Sequence, residues 1–270
     1  MEEVFINFIF NSVIKMTTIK LLSWNVRNLS VHRDPSDLVA VIRQYDIVAL
    51  QEIRDIESVA HIAKAAGMSW RVSDPVCSTW TTAHQSGRRT ERYAFLWTAQ
   101  VTLVTEPQLV HADHEFVRSP FIGYFRCGTL GSYDFILSTI HIVWGTVHDR
   151  EVEIANVGRL LNAIIAKAGT EGDIILCGDF NTAPEGFHLP TTWRHLIDGR
   201  TTVSKVAVKS GGGIGRYDNI WINTPRNFTG HSGIIHVEHN SSDHYPIYAE
   251  FNASYDADEG DVKDLKIELN

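Results

Sequence analysis

Short runs of β-forming residues recur along the whole chain, at 19–24, 46–51, 93–97, 121–125, 135–140, 173–177, 219–222 and 245–251. Several are apolar on both faces. A strand of that kind has to be covered on both sides, which demands layers rather than an open sheet. Helical patterns stand between some of the runs. One begins at Asp37, after Pro35-Ser36, and reaches Ile42; a second spans 58–66 and ends at Gly67, a natural helix terminator. The longest runs from about 149 to 168, where Val152, Ala155, Leu160, Ile164 and Ala168 recur near helical spacing and Gly169 closes the pattern. The expected class is α/β.

At 270 residues, 44% hydrophobic and 21% charged, the chain can bury a large core and needs no staples to fold. No repeat and no Pro- or Ser-rich linker divides it, so 17–252 is expected to form one α/β domain, with 1–16 an N-terminal extension and 253–270 an acidic tail. In that tail Asp256, Asp258, Glu259, Asp261, Asp264 and Glu268 outnumber Lys263 and Lys266, which predicts a solvated, disordered segment. No stretch approaches the ~20 apolar residues that span a bilayer. The apolar 4–10 is short and follows Glu2 and Glu3, whereas a signal peptide starts basic; Met16 offers an alternative start. Cys77, Cys127 and Cys177 are an odd set without a CxxC pair, which argues against a disulfide framework or a structural zinc site. A reducing, cytoplasmic location and a monomer are the corresponding expectations. The net charge of -8 argues against non-specific coating of nucleic acid, but carboxylates gathered round a metal would also count towards it.

Polar residues stand where the apolar runs end. Asn25, Glu52 and His141 each follow a run, Asp179 and Asn181 follow another, Asp218 opens one, and Asp243-His244 precedes the last. Alone, each reads as a turn or cap. As a set they offer only carboxylate, carboxamide and imidazole. Oxygen ligands suit a hard cation, Mg²⁺ or Mn²⁺, and leave histidine for proton transfer; zinc would gather several His or Cys.

Ser23-Trp24-Asn25-Val26, Leu50-Gln51-Glu52-Ile53, Cys177-Gly178-Asp179-Phe180-Asn181 and Ser242-Asp243-His244-Tyr245-Pro246 occur in this order. The ordered set, spread from 19 to 251, resembles the signatures of the endonuclease/exonuclease/phosphatase superfamily. Within it the chain is most similar to the deoxyribonuclease I family, through Gln51-Glu52-Ile53-Arg54-Asp55, Glu91-Arg92-Tyr93-Ala94-Phe95-Leu96 and Tyr217-Asp218-Asn219-Ile220. Abasic-site endonucleases would carry Lys where Arg54 stands. The resemblance implies a four-layer α/β sandwich, two packed mixed sheets with helices outside. It implies a metal site at Asn25 and Glu52 with Asp243 close to the ion, and catalytic roles for Asp179 and Asn181. It pairs His141 with Glu91 and His244 with Asp218, and makes Arg54 and Arg118 phosphate contacts.

The implied activity is divalent-metal-dependent hydrolysis of a nucleic-acid backbone, DNA the expected partner and endonucleolytic cleavage the expected mode. The alternative is a phosphatase or phosphodiesterase acting on inositol or lipid phosphates. A binding module on an inactive scaffold is disfavoured, because every matched catalytic position is filled. One departure concerns Arg89, which stands where the deoxyribonuclease I family has a tyrosine that stacks in the minor groove, so duplex docking is expected to differ. The family's disulfide cysteines are also missing.

Arg88, Arg89, Arg92, Arg118, Arg126, Lys209 and Arg216 lie near these motifs in sequence and could form a basic rim. His111, Asp113, His114 and Glu115 mimic a metal cluster but sit in a polar connection between strands, and are read as structural. The glycine-rich 211–215 lacks the Lys-Ser/Thr of a phosphate-binding P-loop. Trp144, three residues past His141, is read either as core or as a cleft residue that stacks on a base or sugar.

Overall fold

The computed structural model describes residues 18–77, 90–112, 115–127, 133–202, 215–237, 242–256, 258, 262 and 264–269. The N-terminal extension, Arg88, Arg89, Asp113, His114, Lys209 and most of the glycine-rich loop lie outside them. The strands, in chain order, are β1 (Thr18–Leu29), β2 (Ile47–Ile53), β3 (Ser69–Val72), β4 (Val76–Cys77), β5 (Thr90–Trp97), β6 (Val101–Leu109), β7 (Phe121–Cys127), β8 (Asp134–His141), β9 (Ile174–Asp179), β10 (Arg194–His195), β11 (Asp218–Ile222), β12 (Phe228–Ile234) and β13 (Ile247–Asn252). The helices are α1 (Ser36–Ile42), α2 (Ile56–Ala66) and α3 (Val147–Ala168).

Two mixed sheets pack face to face. One runs β12-β13-β1-β2-β5-β3, with β4 paired to β5; the other runs β10-β11-β9-β8-β7-β6. Each sheet has one parallel pair, β1 with β2 and β8 with β9, and otherwise antiparallel neighbours. The layers show in three apolar clusters. Ile19, Leu21, Ala49, Phe95, Phe125, Phe135, Ile175 and Ile247 fill the space between the sheets. Leu22, Val48 and Leu50 face the other way and meet Leu38 and Ile42 of α1 and Val59 and Ile62 of α2. Ile136, Ile140 and Leu176 do the same against Val157, Leu160 and Ile164 of α3. Helices, sheet, sheet and helix make the expected four-layer sandwich, and each central strand is apolar on both faces because both faces are covered.

Local sequence accounts for the helix ends. Asp55 caps α2 by accepting from the Ser58 N–H at 2.8 Å, and Gly67 ends it in the left-handed conformation (φ 72°). Thr146 and Asp149 form a reciprocal capping box at the start of α3. The start of α1 differs from the expected cap: Pro35-Ser36 supplies no side-chain cap, and the Asp34 carboxylate takes the Ser36 N–H at 2.9 Å instead.

The tail corrects the expectation of a solvated end. Val262, Leu265 and Ile267 are buried in the cluster under α3. His111 donates to the Ile267 carbonyl at 2.9 Å and accepts from Leu269 at 2.7 Å, while Asp258 accepts from Gly172 at 2.7 Å. Reading the acidic residues as a solvated face was right for Asp264, which pairs with Lys167, but it overlooked the apolar residues interleaved among them. His111 therefore serves backbone pairing, and Glu115 binds Arg159 at 2.5 Å, so both have structural work.

Candidate active site

The parallel pairs deliver their carboxyl ends to one place. Asn25 of β1 stands beside Gln51 of β2 in register, and His141 of β8 beside Asp179 of β9. Asp179 is flanked on its other side by Asp218, the first residue of the antiparallel β11. The two sheets are tied together just beneath, where Gln51 Nε2 donates to Ser23 Oγ at 3.2 Å and to Thr139 Oγ1 of the opposite sheet at 2.9 Å.

Backbone distortions aim the side chains. Glu52 has φ 60° and Asn181 φ 47°, left-handed values that cost a non-glycine residue roughly 1–3 kcal/mol and cluster at functional sites. The β2–β5 ladder shifts register between Leu50 and Ile53, so the strand bulges where Glu52 leaves it. Arg27 and Asn28 are also left-handed, inside the β1–β2 irregularity, and Arg33 Nη1 holds that turn through the carbonyls of Val26 and Arg27 at 2.6 and 3.1 Å. Gly178 has φ 138°, and a Cβ there would meet the Ile140 carbonyl oxygen at 2.0 Å, which is why glycine precedes Asp179.

Two histidine–carboxylate pairs face one another. His141 Nδ1 is 2.6 Å from Glu91 Oε1, and His244 Nδ1 is 2.9 Å from Asp218 Oδ2. Their Nε2 atoms both approach Asp179 Oδ2, at 3.5 and 3.6 Å. Asp179 is itself fixed: Oδ1 accepts from the Asn181 N–H at 2.9 Å, and Oδ2 from Asn25 Nδ2 at 3.0 Å. The same Asn25 amide donates to Glu52 Oε1 at 3.0 Å. Glu52, Arg118, His141, Trp144, Asp179, Asn181, Thr202, Tyr217, Asp243 and His244 line a single cleft of ≈ 260 Å³.

Electrostatics follow from burial and pairing. Burial pushes the Asp179 carboxyl up, but His244, His141, the Asn181 N–H and Asn25 together hold it below the usual carboxylate range. Burial and the Arg118 charge pull His141 down, and Glu91 and Asp179 more than offset them, so its pKa is raised. His244 is likewise pulled down by burial yet pushed up to about 10 by Asp218 and Asp179. Asp218 rises to about 6, mainly through burial, with His244 opposing and Asp179 reinforcing. The pattern is an ionised central carboxylate between two charged imidazoles.

A family model for the endonuclease/exonuclease/phosphatase family matches residues 22–244. The chain belongs to that family. Members of the family are phosphoric ester hydrolases. Among curated proteins, Deoxyribonuclease gamma of Rattus norvegicus is 23% identical over 176 residues, 61% of this chain and 56% of the relative, so the match spans little more than half of that protein. Among solved structures, truncated Caenorhabditis elegans TDP2 superimposes with a TM-score of 0.64 at 19% identity, covering 88% of this chain and 99% of the other. D. rerio TDP2 complexed with a single-strand DNA product gives 0.63 at 17% identity, covering 88% and 100%. A Bacteroides vulgatus endonuclease/exonuclease/phosphatase gives 0.59 at 14%, covering 88% and 100%. The structural neighbours share the deoxyribonuclease I-like fold expected from the motifs.

Most of the family residues expected from sequence meet in this cleft or directly behind it. Arg118 lines it but is 6% exposed, and its guanidinium is engaged, with Nε 3.0 Å from Glu91 Oε1 and Nη1 donating to the His141 carbonyl at 3.2 Å. It braces the Glu91–His141 pair. Arg54 stands apart from the cleft lining, its Nη1 3.4 Å from the Thr90 carbonyl. Among the other described residues of the expected basic rim, Arg126 pairs with Asp134 at the far end of β8, Arg216 with Glu185, and Arg92 donates to the Ser73 carbonyl. Asp243 lines the cleft with Arg27 Nε 3.6 Å away.

Several positioning residues were not among the expected site residues. Tyr93 Oη accepts from the His141 N–H at 3.1 Å, Ser242 Oγ donates to the Asn25 carbonyl at 2.7 Å, and Thr201 Oγ1 accepts from the Asp218 N–H at 3.0 Å. Glu153 of α3 is 1% exposed and takes the N–H groups of Val117 and Val143 at 2.5 and 2.7 Å, fixing the segments that carry Arg118 and His141. Tyr93 and Ser242 fall inside the quoted motifs; Thr201 and Glu153 do not.

The donor set fits a hard divalent cation. Glu52, Asp179 and Asp243 bring carboxylates to one cleft, and Asn25 and Asn181 add carboxamides beside them. Asp179, Asp218 and His244 also offer donor atoms within 4.8 Å of one another. Asp218 and His244 satisfy each other, however, so Glu52, 19% exposed and bonded to Asn25 Nδ2, is the more open ligand.

Proposed function

We propose that the protein is a divalent-metal-dependent phosphodiesterase that cleaves a nucleic-acid backbone, with DNA as the substrate and an internal phosphodiester as the bond attacked. The observation that carries this reading is the Asp179 carboxylate set between two opposed histidine–carboxylate pairs in one cleft. Deoxyribonuclease gamma among the relatives supports the choice of DNA.

Glu52, Asn25 and Asp243 would hold Mg²⁺ or Mn²⁺, which supplies charge neutralisation for the phosphoryl oxygens and orients the phosphate. The protein's own groups divide the rest. Asp179, held ionised, orients the attacking water and takes its proton. Protonated His244 and His141 present Nε2–H donors to the same space, one to the phosphoryl oxygen and one to the departing alkoxide. Glu91 and Asp218 accept from the Nδ1 side of each imidazolium and so hold Nε2 facing the cleft. Asn181 has its Nδ2 committed to the Ile142 carbonyl at 2.7 Å, which turns its oxygen to other donors.

The test is incubation of the pure protein with supercoiled plasmid, with and without Mg²⁺ or Mn²⁺. Nicking that EDTA abolishes supports the reading. Inert plasmid, alongside phosphate release from an inositol or lipid phosphate, overturns it.

A further inference from the structure

The cleft has an aromatic wall that the chemistry of phosphate hydrolysis does not require. Trp144 is 50% exposed, an unusual state for so large an apolar side chain, and it lines the same cleft as His141, Asp179 and His244. Its indole is held in place. The Arg150 Cζ stands 5.2 Å over the ring, and Arg150 Nη1 is anchored on the Gly145 carbonyl at 3.0 Å. The Tyr217 ring, also part of the cleft, lies 5.5 Å away at 56°. Tyr217 directly precedes Asp218, the partner of His244, so the shelf is joined to the catalytic pairs by the backbone itself. The segment before Trp144 is fixed too, because Glu153 binds the Val143 N–H.

A half-exposed indole, a neighbouring phenol and a guanidinium beside a phosphate-cleaving centre match what a nucleobase needs. Aromatic faces take base faces whatever the base, and arginine adds a cation–π contribution. A base inside a duplex has its faces covered by its neighbours and shows only its edges to the grooves. We therefore infer that Trp144, with Tyr217 and Arg150, stacks an unpaired nucleobase next to the scissile phosphate, making single-stranded nucleic acid the preferred substrate class. This rests on the phosphodiesterase reading above.

The test compares wild type, Trp144→Ala and Trp144→Phe on three Mg²⁺-containing substrates: a single-stranded oligodeoxynucleotide, the same strand built from baseless sugar phosphates, and its duplex. The expected loss in kcat/KM for Trp144→Ala on the base-bearing single strand exceeds that on the baseless strand by about 5- to 150-fold, carried by KM, with Trp144→Phe recovering most of it. Wild type should cleave the single strand faster than the duplex. An equal loss on both single strands, no loss at all, or faster duplex cleavage overturns the shelf while leaving the phosphodiesterase reading in place. A wild type inert on every strand overturns the phosphodiesterase reading, and the shelf with it.

Discussion

Nε2 of His141 lies 3.5 Å from Oδ2 of Asp179. With His244 on the other side, this carboxylate is stabilised in its ionised form although it is buried at the floor of the cleft. Asp179→Asn keeps the shape and removes the charge. It should lower kcat by at least the ~10²–10⁴-fold expected of a lost general base. It should also bring down the pKa of both imidazoles, since Asp179 helps raise each. Histidine NMR titration of the variant reads the second effect independently of turnover; unchanged imidazole values would contradict the coupling.

The two histidines should each matter on their own. His141→Ala and His244→Ala are expected to cut turnover by roughly 10²–10⁴-fold while thermal unfolding stays cooperative. Plasmid nicking with a melting curve on the same sample decides it. Near-native turnover at either position would remove that residue from the mechanism.

Much of this was legible in the sequence. The apolar runs gave the strands because a doubly covered strand leaves a continuous hydrophobic signature, as in β8, where every residue is buried. Asn25, Glu52, His141, Asp179 and His244 could be found because each ends or adjoins such a run. What could not be read was anything set by packing across the chain. Arg118 does line the cleft, but that folding also sets it against Glu91 could not be read, nor that Arg126 ends up beside Asp134 at the opposite end of its sheet. The strand β12, with exposed and glycine-broken positions, carries no period-two pattern, because it is an edge held by β13 alone.

The pair formed by His244 and Asp218 fixes a pH dependence. His244 is raised to about 10 in the folded protein from an ordinary 6.5. Its contribution to stability is fully present below about pH 6.5 and is lost as pH rises through about 10. Asp218→Asn removes the larger of the attractions that raise it, so the imidazole should titrate lower and the stability decline above pH 6.5 should flatten. Melting temperatures of the metal-free protein between pH 6 and 10, for both proteins, test this; parallel curves would refute it.

Glu52→Gln replaces one of the two carboxylates of the proposed cation site with a neutral oxygen donor. The half-saturating Mg²⁺ or Mn²⁺ concentration should rise by about 10-fold or more, because a hard cation loses a charged ligand. The fold should persist, since the Asn25 and Asn28 amides, now 3.0 and 3.1 Å from Glu52 oxygens, still find one acceptor. A metal titration superimposable on that of the parent protein would place the ion elsewhere.

At the far end of the second sheet, acidity works against stability. Asp134, Glu171, Asp173, Asp256 and Asp258 gather where the tail meets the starts of β8 and β9. Arg126 pairs with Asp134, and Glu171 lies beside them; burial and then Asp134 push the Glu171 carboxyl up to about 10. A folded-state pKa above the ordinary 4.5 means that the folded protein holds a proton the unfolded chain has released. Stability is therefore greatest below about pH 4.5 on this account and falls as pH rises towards 10. Asp173, raised to about 7, and Asp256, raised to about 6, act in the same direction over narrower ranges, both chiefly through burial. Glu171→Gln mimics the protonated form and keeps an oxygen for the Asp173 N–H, 2.8 Å away. It should raise the melting temperature more at pH 8 than at pH 5, at about 2–4 °C for each kcal/mol in a domain of this size. Equal shifts at the two pH values would mean that Glu171 is already ionised in the folded protein.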